Sequence, residues 1–337
     1  MSQFPEMQYT ELGRTGLRVS VAGLGCGGFS RLGQTRGAST ADSVALVRAA
    51  MDLGVNLLDT AESYKTEEIV GKAVAGSARH EAVISSKSNI ARGADLRTAD
   101  DVVKSLHASL ERLGTEYIDV YHLHGVRPAH VEYAIAEIVP ALERERAAGR
   151  IRYLGITETA PNDPTHLTLE RAVTSDLFDV VMVAFHLLHQ NARQSVFPAC
   201  KRHRVGTLLM FAVRLIFSQP ERLKATLADL HAKGDLPEAL ATDTNPLGFV
   251  FEHDGPVADP HLALIDAAYR YARHEPSVNV VLFGTGSQSH LKTNIASILA
   301  PPLPDAVVSR VQADFGHLIG VGLDAPSHAG GRQGTTV

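Results

Sequence analysis

Eight short apolar runs, separated by amphipathic segments of helical length, recur along most of this chain of 337 residues. This alternation is typical of βα units that form a parallel sheet. The predicted strands are residues 21–26, 55–59, 82–86, 118–123, 152–157, 179–185, 206–211 and 278–283. Eight such units favour a closed barrel over an open sheet. The predicted fold class is therefore α/β, a (β/α)8 TIM barrel.

Helical patterns fill the intervals between the strands and extend past the last one. The predicted helices lie near residues 41–53, 66–76, 99–113, 130–148, 166–176, 191–204, 260–274 and 305–319. Thr98 followed by Asp101 suits a helix start, because acidic groups in the first turn favour it. Residues 9–20 predict an N-terminal β-hairpin, turning at Arg14-Thr15-Gly16, that caps the bottom of the barrel.

The interval between the seventh and eighth strands is much longer than one helix needs. Residues 212–258 form an insertion there, and loops of that length in a compact domain usually have a function. We interpret residues 1–324 as a single barrel domain that carries this insertion. Residues 325–337, rich in Ser, Gly and Thr, are expected to be a disordered tail.

Composition restricts the classes of partner. Lys+Arg number 32 and Asp+Glu 37, and the formal net charge of −5 gives no reason to expect a nucleic acid. No apolar run reaches about 18 residues, so no membrane partner is expected. Cys26 and Cys200 are the two cysteines, which excludes a disulfide framework and predicts a cytoplasmic location. The sequence leaves the oligomeric state open.

Four ionisable side chains stand at or just past the ends of three successive predicted strands. They are Asp59, Tyr64, Lys87 and His124. In a parallel barrel these strand ends converge on the rim where active sites lie. A phenol beside an ammonium group, with a carboxylate and an imidazole nearby, can act as an acid near neutral pH. Such a set can protonate a carbonyl oxygen while hydride reaches the carbonyl carbon.

Three motifs at predicted strand ends occur in an order that resembles the aldo/keto reductase superfamily. They are Asp59-Thr60-Ala61 with Tyr64 and Glu67-Glu68-Ile69-Val70-Gly71; Gly149-Arg150-Ile151-Arg152-Tyr153-Leu154-Gly155-Ile156-Thr157; and Gly284-Thr285-Gly286-Ser287 with His290, Leu291 and Asn294. The resemblance covers roughly Met7 to Ile319. It implies a barrel enzyme that uses NAD(P)H to reduce aldehydes or ketones, or that catalyses the reverse oxidation.

The resemblance also implies roles for the four ionisable residues. Tyr64 would be the general acid/base, and Lys87 would lower the pKa of Tyr64 by its positive charge. Asp59 would hold Lys87 in place, and His124 would orient the substrate oxygen. The substrate would be a small carbonyl compound or a sugar. The chain looks similar to the sugar-oxidising branch, such as the aldose 1-dehydrogenases, and a broad-specificity aldehyde reductase is the other possibility. No metal is implied.

Cofactor contacts follow from the same resemblance. Gly25 and Gly27 would let the backbone approach the cofactor. Thr157 would bind the carboxamide with Glu158 beside it, Phe211 would stack on the nicotinamide, and Arg214 would reach the pyrophosphate. The loop after strand eight would bind the adenosine half. The complete set is Gly25, Gly27, Thr157, Glu158, Phe211, Arg214, Gly284, Thr285, Gly286, Ser287, His290 and Asn294.

Two departures from the family pattern bear on the cofactor. Met182 occupies a position where relatives often have glutamine, so the carboxamide loses one expected hydrogen-bonding partner. Residues 284–290 contain no Lys or Arg, whereas NADP-preferring relatives usually place a cation there. The basic residue nearest to this loop in the sequence is Lys292, on the following helix. The cofactor is therefore expected to be NAD or NADP, with a slight preference for NAD.

Two other classes of function remain open at this point. The first is a nicotinamide-binding regulatory or interaction protein on the same barrel, with little turnover. The second is a metal-dependent hydrolase, because His122 and His124 form a His-x-His pattern that could bind a metal. His186 and His189, near the end of strand six, could line a substrate pocket or pack beneath a loop.

Overall fold

The computed structural model describes residues 4–76, 78–93, 95–237, 240, 243, 245–253 and 255–324. Within them the strands are, in chain order, β1 Tyr9–Glu11, β2 Arg18–Ser20, β3 Ala22–Gly25, β4 Leu57–Asp59, β5 Val83–Asn89, β6 Ala91–Arg92, β7 Asp95–Leu96, β8 Ile118–Val126, β9 Ile151–Glu158, β10 Val180–Ala184, β11 Gly206–Met210 and β12 Val280–Phe283. Eight of these strands, all parallel, close a barrel in the order β10-β11-β12-β3-β4-β5-β8-β9. This confirms the predicted (β/α)8 architecture.

Helices connect the barrel strands and cover the outside of the barrel. The α-helices of the described residues are Thr40–Asp52, Glu67–Ala73, Ala78–Glu81, Ala99–Leu113, Val131–Tyr133, Val139–Ala147, Leu167–Thr174, Val196–His203, Leu215–Ser218, Pro220–Ala232, Pro260–Arg273, Gln288–Leu299 and Asp305–Phe315. None of the helices in this part of the chain combines the length and the apolar character needed to cross a bilayer.

Side-chain caps fix where two of these helices begin. The hydroxyl of Thr98 accepts a hydrogen bond from the Asp101 amide at 3.2 Å, so the helix starts where the sequence predicts. Ser39 and Asp42 form a reciprocal capping box ahead of Thr40–Asp52. Such caps satisfy amide groups that have no partner within the helix.

The N-terminal hairpin closes the bottom of the barrel, as predicted. β1 and β2 pair antiparallel, with Thr10 opposite Val19. Leu12, Leu17 and Val19 are buried in one cluster with the inward-facing side chains of the barrel. That cluster contains Leu57, Val83, Val120, Val180, Met182, Leu208 and Val280. The hairpin therefore covers apolar surface that would otherwise face water at the end away from the site.

Two connections between barrel strands differ from the sequence prediction. The predicted helix 130–148 contains a π-helical segment, Ala134–Ile138, between Val131–Tyr133 and Val139–Ala147. Pro140 follows that segment and lacks the amide hydrogen that a regular helix requires. The short β6–β7 hairpin was not predicted.

The predicted insertion is in part packed against the barrel: Ile216, Phe217 and Leu230 belong to the main hydrophobic core. The predicted tail 325–337 lies outside the described residues.

Candidate active site

The barrel brings the four ionisable residues together from three neighbouring strands. Asp59 ends β4, Lys87 lies in β5 and His124 lies in β8. β4 pairs with β5 and β5 with β8. Tyr64 ends a short 3-10 turn, Glu62–Tyr64, that follows β4. The site is therefore built on strand ends at the rim, with one residue on the adjoining loop.

Asp59 and Lys87 form a buried ion pair beneath this rim. Lys87 Nζ donates to Asp59 Oδ1 at 2.6 Å and to the Thr60 carbonyl at 2.8 Å. Ser85 Oγ donates to the same carboxylate oxygen at 2.8 Å. Lys87 is 0% exposed and Asp59 is 3% exposed. Burial acts to lower the pKa of Lys87, but Asp59 and Tyr64 outweigh it and the pKa is raised, so the ammonium stays charged.

Tyr64 lies between the ammonium group and the imidazole. Lys87 Nζ is 5.0 Å from the centre of the Tyr64 ring, and the His124 ring meets it edge-on with centroids 5.6 Å apart. Burial raises the pKa of Tyr64, and the positive charge of Lys87 opposes that rise without cancelling it. Lys87 therefore acts on the pKa of Tyr64 with the expected sign, and burial has the larger effect in the chain alone.

Gly27 lies directly against the Tyr64 ring. A Cβ atom added at Gly27 would overlap the ring and stand 2.7 Å from Tyr64 Cγ. The absence of a side chain at this position therefore lets the phenol sit over Lys87. Sequence reasoning attributed Gly27 to close approach of a cofactor, and the structure shows that Tyr64 itself occupies the space beside it.

Gly27→Ala is expected to lower kcat by at least about tenfold, because a misplacement of about 1 Å can cost up to about 10²-fold. Steady-state kinetics and a thermal melt check this. In the comparison variant Gly25→Ala, the new methyl group would stand 3.4 Å from the Phe283 carbonyl oxygen. Because Gly25 is itself a predicted cofactor contact, Gly25→Ala should mainly weaken cofactor binding and should lower kcat much less than Gly27→Ala. Equal losses in the two variants would show that displacement of Tyr64 is not the cause.

Phe211 and Arg214 lie together just past β11. Arg214 Cζ is 3.8 Å from the centre of the Phe211 ring and 4.9 Å from the centre of the Phe29 ring. Phe211 has φ of +74°, an uncommon backbone conformation for an aromatic residue that is often found at functional sites. Arg214 is 9% exposed. Burial lowers the pKa of Arg214 to about 10, although Asp324 and Tyr64 act to raise it.

Thr157 and Glu158 end β9, but their side chains have different surroundings. Thr157 is 1% exposed, and its Oγ1 accepts from the Gly125 amide at 2.7 Å. Glu158 is fully enclosed: it contacts His166 Nδ1 at 2.7 Å and accepts from the Ala184 amide at 2.8 Å. Both carboxylate oxygens are therefore engaged inside the protein. The prediction that Glu158 contacts the cofactor is not supported by this arrangement.

The loop after β12 lies against the turn that follows β3. A Cβ atom at Gly286 would be 2.6 Å from Gly33 Cα, so the two backbones meet without room for a side chain. Thr285 Oγ1 accepts from the Ser287 amide at 3.1 Å and stabilises the loop. The helix Gln288–Leu299, which begins after Ser287, carries the two remaining candidates. These are His290, which is exposed, and Asn294, which is half-buried.

Two histidines and Met182 lie inside the protein. His186 and His189 are both fully buried, and burial lowers the pKa of His186 to about 3 and that of His189 to about 2. They pack beneath the surface and do not line an open pocket. Met182 faces the barrel interior. Among the described residues there is no group of three or more His, Cys, Asp or Glu arranged to hold a metal, so the hydrolase hypothesis gains no support.

Sequence reasoning did not identify two residues that contact Arg214 and Tyr64. Phe29 covers Arg214, and Arg31 Nε donates to the Tyr64 carbonyl at 2.9 Å. Both lie in the segment that follows β3. Their position after the first barrel strand was the available signal, since loops at strand ends form the active-site rim.

Comparisons with a family model and with curated proteins match most of the chain. Residues 23–313 match the model of the Aldo/keto reductase family. The uncharacterized oxidoreductase YqkF of Bacillus subtilis (strain 168) is 26% identical over 316 residues, which cover 91% of this chain and 96% of that protein. L-galactose dehydrogenase of Arabidopsis thaliana is 27% identical over 306 residues, with coverages of 87% and 88%.

Solved structures share the fold. The aldo-keto reductase AKR11C1 from Bacillus halodurans, in its holo form, has a TM-score of 0.65 at 24% identity and covers 91% of this chain and 96% of its own. An aldo/keto reductase from Klebsiella pneumoniae in complex with NADP and acetate has a TM-score of 0.63 at 22% identity, with coverages of 90% and 94%.

Proposed function

Because the chain belongs to the aldo/keto reductase family, we propose that it interconverts a small carbonyl compound and an alcohol, with Tyr64 as the proton donor and acceptor. The observation that carries this proposal is the arrangement of Tyr64 between the buried Lys87 ammonium group and the His124 ring. A nicotinamide cofactor, when bound, supplies or accepts the hydride.

The residues at the rim fit such a cofactor. The Phe211 ring offers a flat apolar surface for the nicotinamide, and Thr157, next to the C-terminal end of β9, carries the hydroxyl proposed to bind its carboxamide. The loop of Gly284, Thr285, Gly286 and Ser287 leads into a helix N-terminus, where backbone amides favour phosphate groups. We propose that this loop, with His290 and Asn294, holds the adenosine half. Glu158 is left out of the proposed contacts because its carboxylate is engaged elsewhere.

Each of the four ionisable residues has a distinct proposed role. Tyr64 moves a proton to or from the substrate oxygen, and Lys87 offsets part of the cost of forming the phenolate. Asp59 keeps Lys87 charged and aimed toward the ring. His124, next to the ring edge, orients the substrate oxygen by hydrogen bonding. Together these residues stabilise charge that develops at the oxygen.

The cofactor is proposed to be NAD or NADP. The slight preference for NAD has no support from the comparisons, since the Klebsiella relative was solved with NADP. The turn that follows β3 packs against Gly286 through Gly33, so residues outside the loop after β12 also border this part of the site.

The substrate proposed first is a sugar, oxidised at its anomeric carbon. The similarity to L-galactose dehydrogenase over most of both chains supports this choice. A broad-specificity aldehyde reductase is the second candidate, because the solved structures that share the fold are aldo-keto reductases.

A fluorescence titration with NADH and NADPH in parallel, followed by carbonyl and sugar panels with the tighter cofactor, tests the proposal. Saturable binding below millimolar concentration and turnover of at least one carbonyl or sugar are expected. Binding without turnover would favour the regulatory protein of the same fold. Failure of both cofactors to bind would contradict the proposed function.

A further inference from the structure

The guanidinium of Arg214 has one edge without a partner inside the protein. Within the described residues, its Nε and Nη2 atoms are buried and have no hydrogen-bond acceptor. These two nitrogens lie on the same side of the planar group, the side that can donate two parallel hydrogen bonds to one carboxylate or phosphate. A buried charged group without such an acceptor is costly, so the arrangement calls for an oxyanion that the described residues do not supply.

The surroundings hold this edge in place without neutralising it. The rings of Phe211 and Phe29 lie 3.8 Å and 4.9 Å from Arg214 Cζ and restrict where the guanidinium can move. The carboxylate of Asp324 acts on the charge of Arg214, but it forms an ion pair with Arg222. The positive charge of Arg214 is therefore available to a ligand.

Arg214 also lies at the reacting end of the site. Tyr64 and Arg214 are close enough for each to act on the charge of the other. Gly27 contacts the Tyr64 ring, and Phe29, two residues further along the same loop, covers Arg214. An oxyanion held by Arg214 is thus near the group that would exchange a proton with the substrate oxygen.

We infer that Arg214 binds a carboxylate on the substrate, so that the enzyme prefers carbonyl compounds or alcohols that carry a carboxylate near the reacting carbon. This inference rests on the proposed interconversion of a carbonyl compound and an alcohol at Tyr64, and it favours an acidic substrate over the neutral sugar that the similarity to L-galactose dehydrogenase supports. It replaces the expectation that Arg214 reaches the cofactor pyrophosphate, because the guanidinium lies beside the proton donor. A phosphate of the cofactor is the other source of the same oxyanion chemistry, and the experiment separates the two.

The test compares 2-, 3- and 4-carboxybenzaldehyde with the matching methylbenzaldehydes, which have similar shape but no charge. In the wild type, kcat/KM for at least one carboxylate isomer should exceed that of its methyl partner by about tenfold or more, as a charge-assisted pair of hydrogen bonds would give. Arg214→Met should bring this ratio close to one. Lys224→Met, which removes an exposed positive charge from the helix Pro220–Ala232 without releasing Asp324 from Arg222, should keep the wild-type ratio.

Other outcomes would overturn the inference. A wild type that reduces the methylbenzaldehydes with no preference for any carboxylate isomer would refute it and leave the proposed function intact. An Arg214→Met variant that binds the cofactor at least about tenfold more weakly but keeps the ratio would assign the oxyanion to the cofactor. A wild type that binds neither cofactor and reduces no aldehyde would instead remove the proposed function.

A second variant keeps the test decisive if Arg214→Met does not fold. Arg214→Lys retains the charge but loses the paired edge, and it should lower the preference by at least about threefold. Benzoate should also raise the melting temperature of the wild-type cofactor complex more than that of the Arg214→Lys complex. Equal shifts in the two proteins would contradict the inference.

Discussion

Tyr64→Phe should lower kcat by about 10²–10⁴-fold, the usual contribution of a positioned general acid. The substitution removes one hydroxyl and leaves the ring that contacts Gly27 and the His124 edge. Nicotinamide affinity should therefore stay near the wild-type value, so that the loss falls on the chemical step. Steady-state kinetics together with the fluorescence titration measure the two quantities separately.

Tyr9→Phe is a matched control for this prediction. It also removes one phenolic hydroxyl, which donates to the Gly54 carbonyl at 2.9 Å, but it lies in the hairpin that closes the opposite end of the barrel. Its kcat should stay close to that of the wild type. If Tyr64→Phe retained most of the turnover, another group would have to donate the proton. A regulatory protein would instead keep its output in the Tyr64→Phe variant.

Lys87→Met should destabilise the fold by about 3–5 kcal/mol, because it leaves the buried Asp59 carboxylate without its charged partner. The ammonium group has no exposed surface, and its two hydrogen bonds, to Asp59 and to the Thr60 carbonyl, are both internal. The variant should also lose activity, because the phenolate of Tyr64 would lose the nearby positive charge. Urea unfolding followed by circular dichroism measures the change in the free energy of unfolding.

A double variant separates the two effects of Lys87. Asp59→Asn combined with Lys87→Met removes both charges and should recover part of the lost stability, since no buried carboxylate remains unpaired. It should stay inactive. Lys104→Met is the exposed control: its ammonium group lies 4.0 Å from Asp101 at the surface, and its loss should cost less than about 1 kcal/mol. A stable, fully active Lys87→Met variant would contradict the proposed role.

Most of the barrel could be predicted from local pattern. Each observed barrel strand overlaps a predicted one, although β5, β8 and β9 extend further toward the rim than expected. Strand ends are poorly marked in the sequence, because ladder hydrogen bonds can continue into residues such as Asn89 and Glu158 that lack an apolar pattern. The β6–β7 hairpin, with two residues in each strand, is too short to produce a periodic signal.

The sequence by itself determined the order of strands and helices, because periodicity is a local property. That order also placed Asp59, Tyr64, Lys87 and His124 at the same rim of the barrel, because all four lie at or just past a strand end. Only the tertiary structure decided how these side chains are paired and solvated. Burial raises the pKa of Tyr64 although the charge of Lys87 acts to lower it. The carboxylate of Glu158 contacts His166 and accepts a hydrogen bond from the Ala184 amide inside the protein. Among the described residues no acceptor reaches the Nε and Nη2 edge of Arg214, whose guanidinium contacts the rings of Phe211 and Phe29. Each outcome depends on desolvation and on partners distant in sequence, which no local pattern encodes.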